Sequence, residues 1–283
     1  METIYVNNNG NVLENKGYVL EAGNRGHLYG DGLFETIRVV NGKPVNVDVH
    51  ISRLLDGMSA LKMRIPTYLT KEFFQEKFNE LIKKSKIKHG AKIRLSIDRV
   101  SGGTFQPSTN EVTYFIEIYP LSNNLFTLNQ KGLEVDLYNT IKKDKINISN
   151  FKTKSALLNV MASIEAKEKG LDSMLLTCRN GYVIEGISSN LFITSNSVLY
   201  TPGIDEGCVG GTMRMKVINL AIENNLRVYE SSITPQHLLM ADEVFLTNAI
   251  VGIQWVSGFR TKRYTNTISA RLLSLLNQSL ISE

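Results

Sequence analysis

The sequence predicts a two-domain chain of the mixed α/β (α+β) class, and three observations carry that prediction. At 283 residues the chain is longer than a usual single domain. Apolar runs of period 2 and helical stretches of period 3.6 recur in both of its halves. Between the halves, Pro120 to Lys131 is rich in Ser, Asn and Leu without a clear period, which is the composition of a connector. The boundaries that follow are 1–120 for a smaller N-terminal α/β domain, 121–131 for a linker, and 132–283 for a larger C-terminal domain.

The elements follow in order. Ile4-Tyr5-Val6 and Val12-Leu13 flank an Asn-Asn-Gly turn, a hairpin signal, and Phe34–Val40 and Pro44–Val47 repeat it around Asn41-Gly42. From Val49 to Lys62, Ile51, Leu54, Leu55, Met58 and Leu61 stand at helical spacing, and a second amphipathic helix runs from Lys71 to Lys84. Ile93–Val100 and Val112–Tyr119 read as paired strands. The pattern restarts with a strand at 133–139, then a helix from Ser155 to Lys169 built on Leu157, Val160, Met161 and Ile164. A hairpin turns at Asn180-Gly181, a helix covers Thr212 to Asn224, and Thr234-Pro235 supplies an N-cap and a proline at the first helical position. A strand at 243–247 and a helix over 266–280 complete the set.

Composition narrows the function classes. The chain is 42% apolar and 21% charged, ordinary for a soluble globular protein. No stretch approaches the roughly 20 apolar residues needed to cross a bilayer, and the polar, Asn-rich start has no signal layout; a cytoplasmic address without membrane contact is the expectation. Cys178 and Cys208 make no disulfide framework, and with four scattered histidines they predict no metal site. The net charge of +5 suits nucleic acid or a small anion, but no basic stripe or motif supports nucleic acid. Lysines cluster loosely from Lys142 to Lys154, and a solvated face explains that cluster, with one exception.

Three local features carry chemistry. Gly207, Gly210 and Gly211 precede Thr212-Met213-Arg214 at a helix start, where backbone N–H groups form an anion cup; a tight turn is the plain alternative. Glu185 stands in the strand-like Tyr182–Ile187. Because Glu is rarely buried, a solvent-facing side chain comes ahead of one aimed at a cation. Lys152 follows Phe151 just ahead of a helix, a setting that suits an amine nucleophile, although Lys154 is equally close and a surface lysine is the default for either alone.

Together an anion cup, a carboxylate for a pyridinium proton and a nucleophilic lysine are the parts that pyridoxal phosphate chemistry requires. Six motifs then occur in order: Tyr29-Gly30-Asp31-Gly32-Leu33-Phe34-Glu35, His50-Ile51-Ser52-Arg53-Leu54, Lys152 with Asn159-Val160 seven residues on, Glu185-Gly186-Ile187-Ser188-Ser189-Asn190-Leu191-Phe192, Gly211-Thr212-Met213-Arg214, and Ala241-Asp242-Glu243-Val244-Phe245. On these the chain resembles the fold-type IV pyridoxal-phosphate family, which holds branched-chain and D-amino-acid aminotransferases and aminodeoxychorismate lyase. The resemblance spans about Tyr5 to Val256 and implies a cofactor cleft between two domains. It implies that Lys152 is the Schiff-base lysine and that Glu185 pairs with the pyridine nitrogen. Arg53 resembles the arginine that grips the phosphate, Gly211, Thr212 and Met213 the rest of the cup, and Val209 the residue packed on the ring face.

Two places depart from or divide that pattern. Thr247-Asn248-Ala249 stands where the aminotransferases carry a phosphate-binding hydroxyl, which leaves the contact to backbone or to Asn248; Asn-Ala here is similar to aminodeoxychorismate lyase. Arg94 matches the arginine that branched-chain enzymes use near the substrate carboxylate, and Arg99 the one that D-amino-acid enzymes use. Residues 94 and 99 have opposite parity, so a regular strand points them to opposite faces. The expected activity is transamination between an amino acid and a 2-oxo acid, with pyruvate elimination from aminodeoxychorismate as the alternative and a silent cofactor-binding protein as the distant one. The family's habit implies a homodimer acting on a small amino-acid or amino-chorismate substrate.

Overall fold

The computed structural model describes residues 4–17 and 20–282. The chain divides into two compact units, Met1–Leu125 with Phe151–Ala156, and Phe126–Asn150 with Leu157–Glu283. The sequence reading ran the second domain unbroken from 132, whereas the contacts return Phe151–Ala156 to the first unit. The reason is backbone hydrogen bonding. The Phe34 N–H donates to the Lys152 carbonyl, and the Lys154 N–H to the Gly32 carbonyl, both at 2.9 Å.

In the first unit, β1 (Tyr5–Asn8) and β2 (Asn11–Glu14) pair about Asn9-Gly10. Both turn residues lie at positive φ, 48° and 92°, which a tight hairpin demands and Asn-Gly accepts. A short helix α1 (Arg25–Tyr29), too brief to show a period, is capped by the Asn24 side chain and leads into β3 (Gly32–Val40). The second hairpin is shorter than expected. β4 spans only Lys43–Pro44, with one further bond from the Val45 N–H to the Arg38 carbonyl at 2.9 Å, and Asn46 at φ 53° then turns the chain into α2 (Val47–Ala60). Then come α3 (Lys71–Lys84), capped by Thr70, β5 (Ala91–Arg99) and β6 (Val112–Pro120). The antiparallel sheet runs β2-β1-β6-β5-β3-β4. Its core joins Ile37, Ile93 and Leu95 of the strands to Leu54, Met58, Phe74 and Phe78 of α2 and α3.

The second unit is built on β7 (Leu133–Lys143), β8 (Ser173–Cys178), β9 (Val183–Gly186), β10 (Asn190–Ser195), β11 (Val198–Thr201), β12 (Arg227–Glu230), β13 (Glu243–Asn248), β14 (Gly252–Phe259) and β15 (Lys262–Arg263). The order is β12-β11-β10-β13-β14-β7-β8-β9, with β15 on β14. β9 also meets β10, at Glu185↔Asn190, so the strands from β10 round to β9 close on themselves. Helices α4 (Leu157–Glu168), α5 (Thr212–Glu223), α6 (Pro235–Met240) and α7 (Thr267–Ser282) complete the unit.

One helix face differs from expectation. The large apolar residues of α4, Leu157, Val160, Met161 and Ile164, are exposed, while Ala162 and Ala166 are buried. Small side chains let the helix lie close against β7 and β8, so the larger stripe is left on the outside of the single chain. Among the described residues no helix is long and apolar enough to cross a membrane.

Candidate active site

Glu185 is inside the second unit, 4% exposed, and aimed at a cation. This overturns the solvent-facing reading of its strand. The pairing of β9 with both β8 and β10 encloses it, and two donors satisfy it: Lys143 Nζ at 2.5 Å from Oε1 and the Val209 N–H at 2.8 Å from Oε2. Lys143 comes from the lysine cluster read as a solvated face, but its side chain is 17% exposed. Nothing local in the sequence links the two residues, which are 42 positions apart.

The glycine loop is held from two sides. Asn190 Nδ2 donates to the Val209 carbonyl and Asn150 Nδ2 to the Cys208 carbonyl, each at 2.7 Å, while the Gly210 N–H donates to the Asn150 carbonyl at 3.0 Å. Gly207, at φ 93°, makes the turn. Gly211 is the N-cap of α5 and supplies no side-chain bond, and Thr212 and Met213 open the helix at its positive dipole end. A Cβ at Gly211 would run into Asn190 Oδ1. Burial pushes the Cys208 thiol up to about 12, and the Glu185 charge adds to that. Asn248 commits its Oδ1 to the Ile250 and Val251 N–H groups at 2.9 and 3.0 Å, closing its own turn.

In the first unit, the stretch bonded to β3 sets Lys152 Nζ over the Phe34 ring, 4.4 Å from its centroid. The Arg94 guanidinium lies 4.0 Å from the same centroid. Thr36 and Arg94 are register partners, and the half-buried Phe34, Thr36 and Arg94 share one sheet face. Lys154 is not a surface lysine. Its Nζ stands 2.5 Å from Oδ1 of buried Asp98, whose Oδ2 accepts from Asn24 Nδ2 at 3.0 Å. Of the two candidate lysines, Lys154 is therefore tied to a structural carboxylate and Lys152 shares a ring with a guanidinium.

The opposite face of β3 presents Glu35 to α2. Arg53 Nε and Nη2 clamp its two oxygens at 2.7 and 2.5 Å, and His50 Nδ1 meets Oε2 at 2.7 Å. Burial raises the Glu35 carboxyl, but the Arg53 charge and the hydrogen bonds from His50 and Arg53 outweigh it and bring it down to about 2. Glu35 thus fixes the plane of the Arg53 guanidinium. The i, i+3 spacing of His50 and Arg53 was the available sequence signal for this cluster. Arg99 is buried and engaged. Nε donates to both Asp31 oxygens at 3.2 and 2.9 Å, Nη1 to Asn110 Oδ1 at 2.6 Å, and Nη2 to the Leu61 carbonyl at 2.8 Å. β5 pairs without a register shift from Ala91 to Arg99, so Arg94 and Arg99 do point to opposite faces. Arg99 serves as an internal clamp, which leaves Arg94 as the arginine on the Lys152 face.

The model of the amino-transferase class IV family matches residues 32–259. An aminodeoxychorismate lyase of Bacillus subtilis is 30% identical over 254 residues, 88% of this chain and 84% of that one. A D-alanine aminotransferase of Bacillus licheniformis is 29% identical over 247 residues, 85% and 83% of the two chains. An aminotransferase from Brucella abortus, solved bound to PLP, shares the fold at a TM-score of 0.84 and 22% identity, covering 97% of this chain and 98% of that one.

Proposed function

The chain belongs to the class IV aminotransferase family, and from that membership we propose a pyridoxal-phosphate-dependent aminotransferase that moves an amino group between an amino acid and a 2-oxo acid. The observation that carries the reading is the shared ring of Phe34, with the Lys152 amine 4.4 Å and the Arg94 guanidinium 4.0 Å from its centroid. An amine that moves a proton at a substrate's α-carbon needs that substrate's carboxylate held nearby, and a guanidinium is the side chain suited to hold it.

The residues fit the cofactor. Its phosphate would need anion donors; the second unit offers the α5 start after Gly211, and the first unit, taken by itself, offers Arg53 in a plane set by Glu35. Its ring nitrogen needs a buried carboxylate, and Glu185 is one. When bound, pyridoxal phosphate supplies an electron sink for the carbanion at the substrate carbon. With the cofactor bound, Glu185 would hold a proton at the ring nitrogen, Val209 would pack beside the ring, Arg94 would orient the substrate, and Lys152 would take and return the proton at the substrate carbon. The exposed stripe of α4 supports a homodimer, since four large apolar side chains on one helix are costly to leave in water.

A second reading rests on Thr247-Asn248-Ala249. With the Asn248 oxygen committed to its own turn, that loop lacks the aminotransferase hydroxyl, and this favours aminodeoxychorismate lyase. Trapping with pyridoxal phosphate and borohydride, then peptide mass mapping, is expected to place the adduct on Lys152. An adduct on Lys154 would overturn the assignment. Amino donors screened with pyruvate and 2-oxoglutarate, beside an assay for p-aminobenzoate release, then separate the two reactions. Lys154→Met is expected to keep the adduct on Lys152 but to lose about 3 kcal/mol of stability in urea unfolding, because Asp98 is left buried without its ion-pair partner.

A further inference from the structure

Glu185 meets a lysine before it meets any ligand. Lys143 Nζ lies 2.5 Å from Oε1, and this ammonium, on the last residue of β7, is itself largely enclosed and has its next contact at the Ser149 carbonyl, 3.5 Å away. The Val209 N–H takes Oε2 at 2.8 Å, so both carboxylate oxygens have a donor and the side chain is held in one orientation. Lys143 reaches the carboxylate from β7, the Cys208 thiol of the glycine loop lies close enough to feel its charge, and the register partner in β10, Asn190, carries no charge. Burial holds Cys208 as the neutral thiol, which leaves Lys143 as the cation in direct contact.

We propose that Lys143 is a positioning residue that biases a proton shared between Glu185 and the cofactor's ring nitrogen toward the nitrogen; this rests on the pyridoxal-phosphate reading of the site. A proton between a buried carboxylate and a pyridine can sit on either, leaving a neutral pair or an ion pair, and burial by itself favours the neutral pair. A fixed positive charge changes the balance according to distance. Lys143 stands on the carboxylate itself, so it penalises a proton there more than a proton on a group beyond the carboxylate. The ion pair, with its protonated ring, is thereby favoured. Lys143 acts through Glu185 and needs no contact with substrate or cofactor.

The test uses full-length protein loaded with pyridoxamine phosphate labelled with 15N at the ring, and reads the ring nitrogen's chemical shift. The wild type is expected to show a protonated ring. Lys143→Met and Lys143→Gln are expected to move the signal toward the neutral pyridine position, the second although it keeps a hydrogen-bond donor. Lys143→Arg is expected to restore the wild-type position. A merely structural lysine would change thermal stability or affinity and leave the shift alone, so a protonated ring in both neutral variants overturns the proposal. Glu185→Gln separates this from failure of the cofactor reading. If it loses the protonated ring while Lys143→Met keeps it, Glu185 stands and Lys143 falls. If the wild type does not bind pyridoxamine phosphate, the cofactor reading and the proposal fall together; if Glu185→Gln leaves the ring unchanged, the pairing of Glu185 with the ring and the proposal fall while cofactor binding stands.

Discussion

Glu35 shows how one carboxylate can both add stability and orient the arginine proposed to bind a ligand. Its carboxyl is held at about 2 against an ordinary 4.5, because the Arg53 and His50 contacts outweigh the cost of burial. A depressed carboxylate contributes stability that is complete above its unfolded value and is lost as pH falls through the folded one. The window is therefore about 4.5 down to about 2, and the contribution is on the order of 3 kcal/mol. Urea unfolding across that window is expected to show a steep loss in the wild type and a shallower one in Glu35→Gln, which has no charge to lose. The cluster also alters what Arg53→Ala reports. Removing the arginine takes away the proposed phosphate donor and leaves Glu35 buried with His50 alone, so cofactor affinity and folding stability are expected to fall together.

At the scale of elements, legibility followed local chemistry. The limits of α3 were visible because Thr70 caps it and Phe74, Phe78, Leu81 and Ile82 repeat at helical spacing. The two Asn-Gly hairpins were visible because few residue pairs tolerate two consecutive positive φ values. β10 and β14 were missed as separate strands, since strands buried on both faces lose the alternation that marks a half-buried one. α4 was found, but with its apolar face turned inward, because periodicity gives a stripe and not the surface it meets. The motif lysine and glutamate were readable in order. Lys143, the partner of Glu185, and Asn150 and Asn190, which hold the glycine loop, were not readable in those roles, since each acts across a tertiary contact. Gly211 tests this network. In Gly211→Ala the new methyl group displaces Asn190, whose amide holds the Val209 carbonyl. Cofactor titration by fluorescence is expected to show roughly a tenfold weaker Kd, the loss of about one hydrogen bond's worth of loop positioning, with α5 helicity unchanged.

For the molecule as a whole, the α4 stripe bears on assembly. If Leu157, Val160, Met161 and Ile164 meet a second copy, light scattering will give twice the 31.7 kDa chain mass, and Val160→Glu with Ile164→Glu will return it to the single-chain value. A wild-type monomer at micromolar concentration would remove the dimer from the proposed function. The division of the chain has a different consequence. It passes from one unit to the other after Leu125, Asn150 and Ala156, so the first unit takes back six residues after part of the second has been made. On a ribosome adding about 5–20 residues per second, the last strand of the first sheet, ending at Pro120, is finished a few seconds before Ala156 is polymerised. During that delay the Phe34 N–H and the Gly32 carbonyl lack their native partners, and the surface destined for Phe151 stays open. Vectorial synthesis thus leaves the first unit waiting for the segment that brings Lys152, and its cooperative completion coincides with the arrival of the proposed nucleophile.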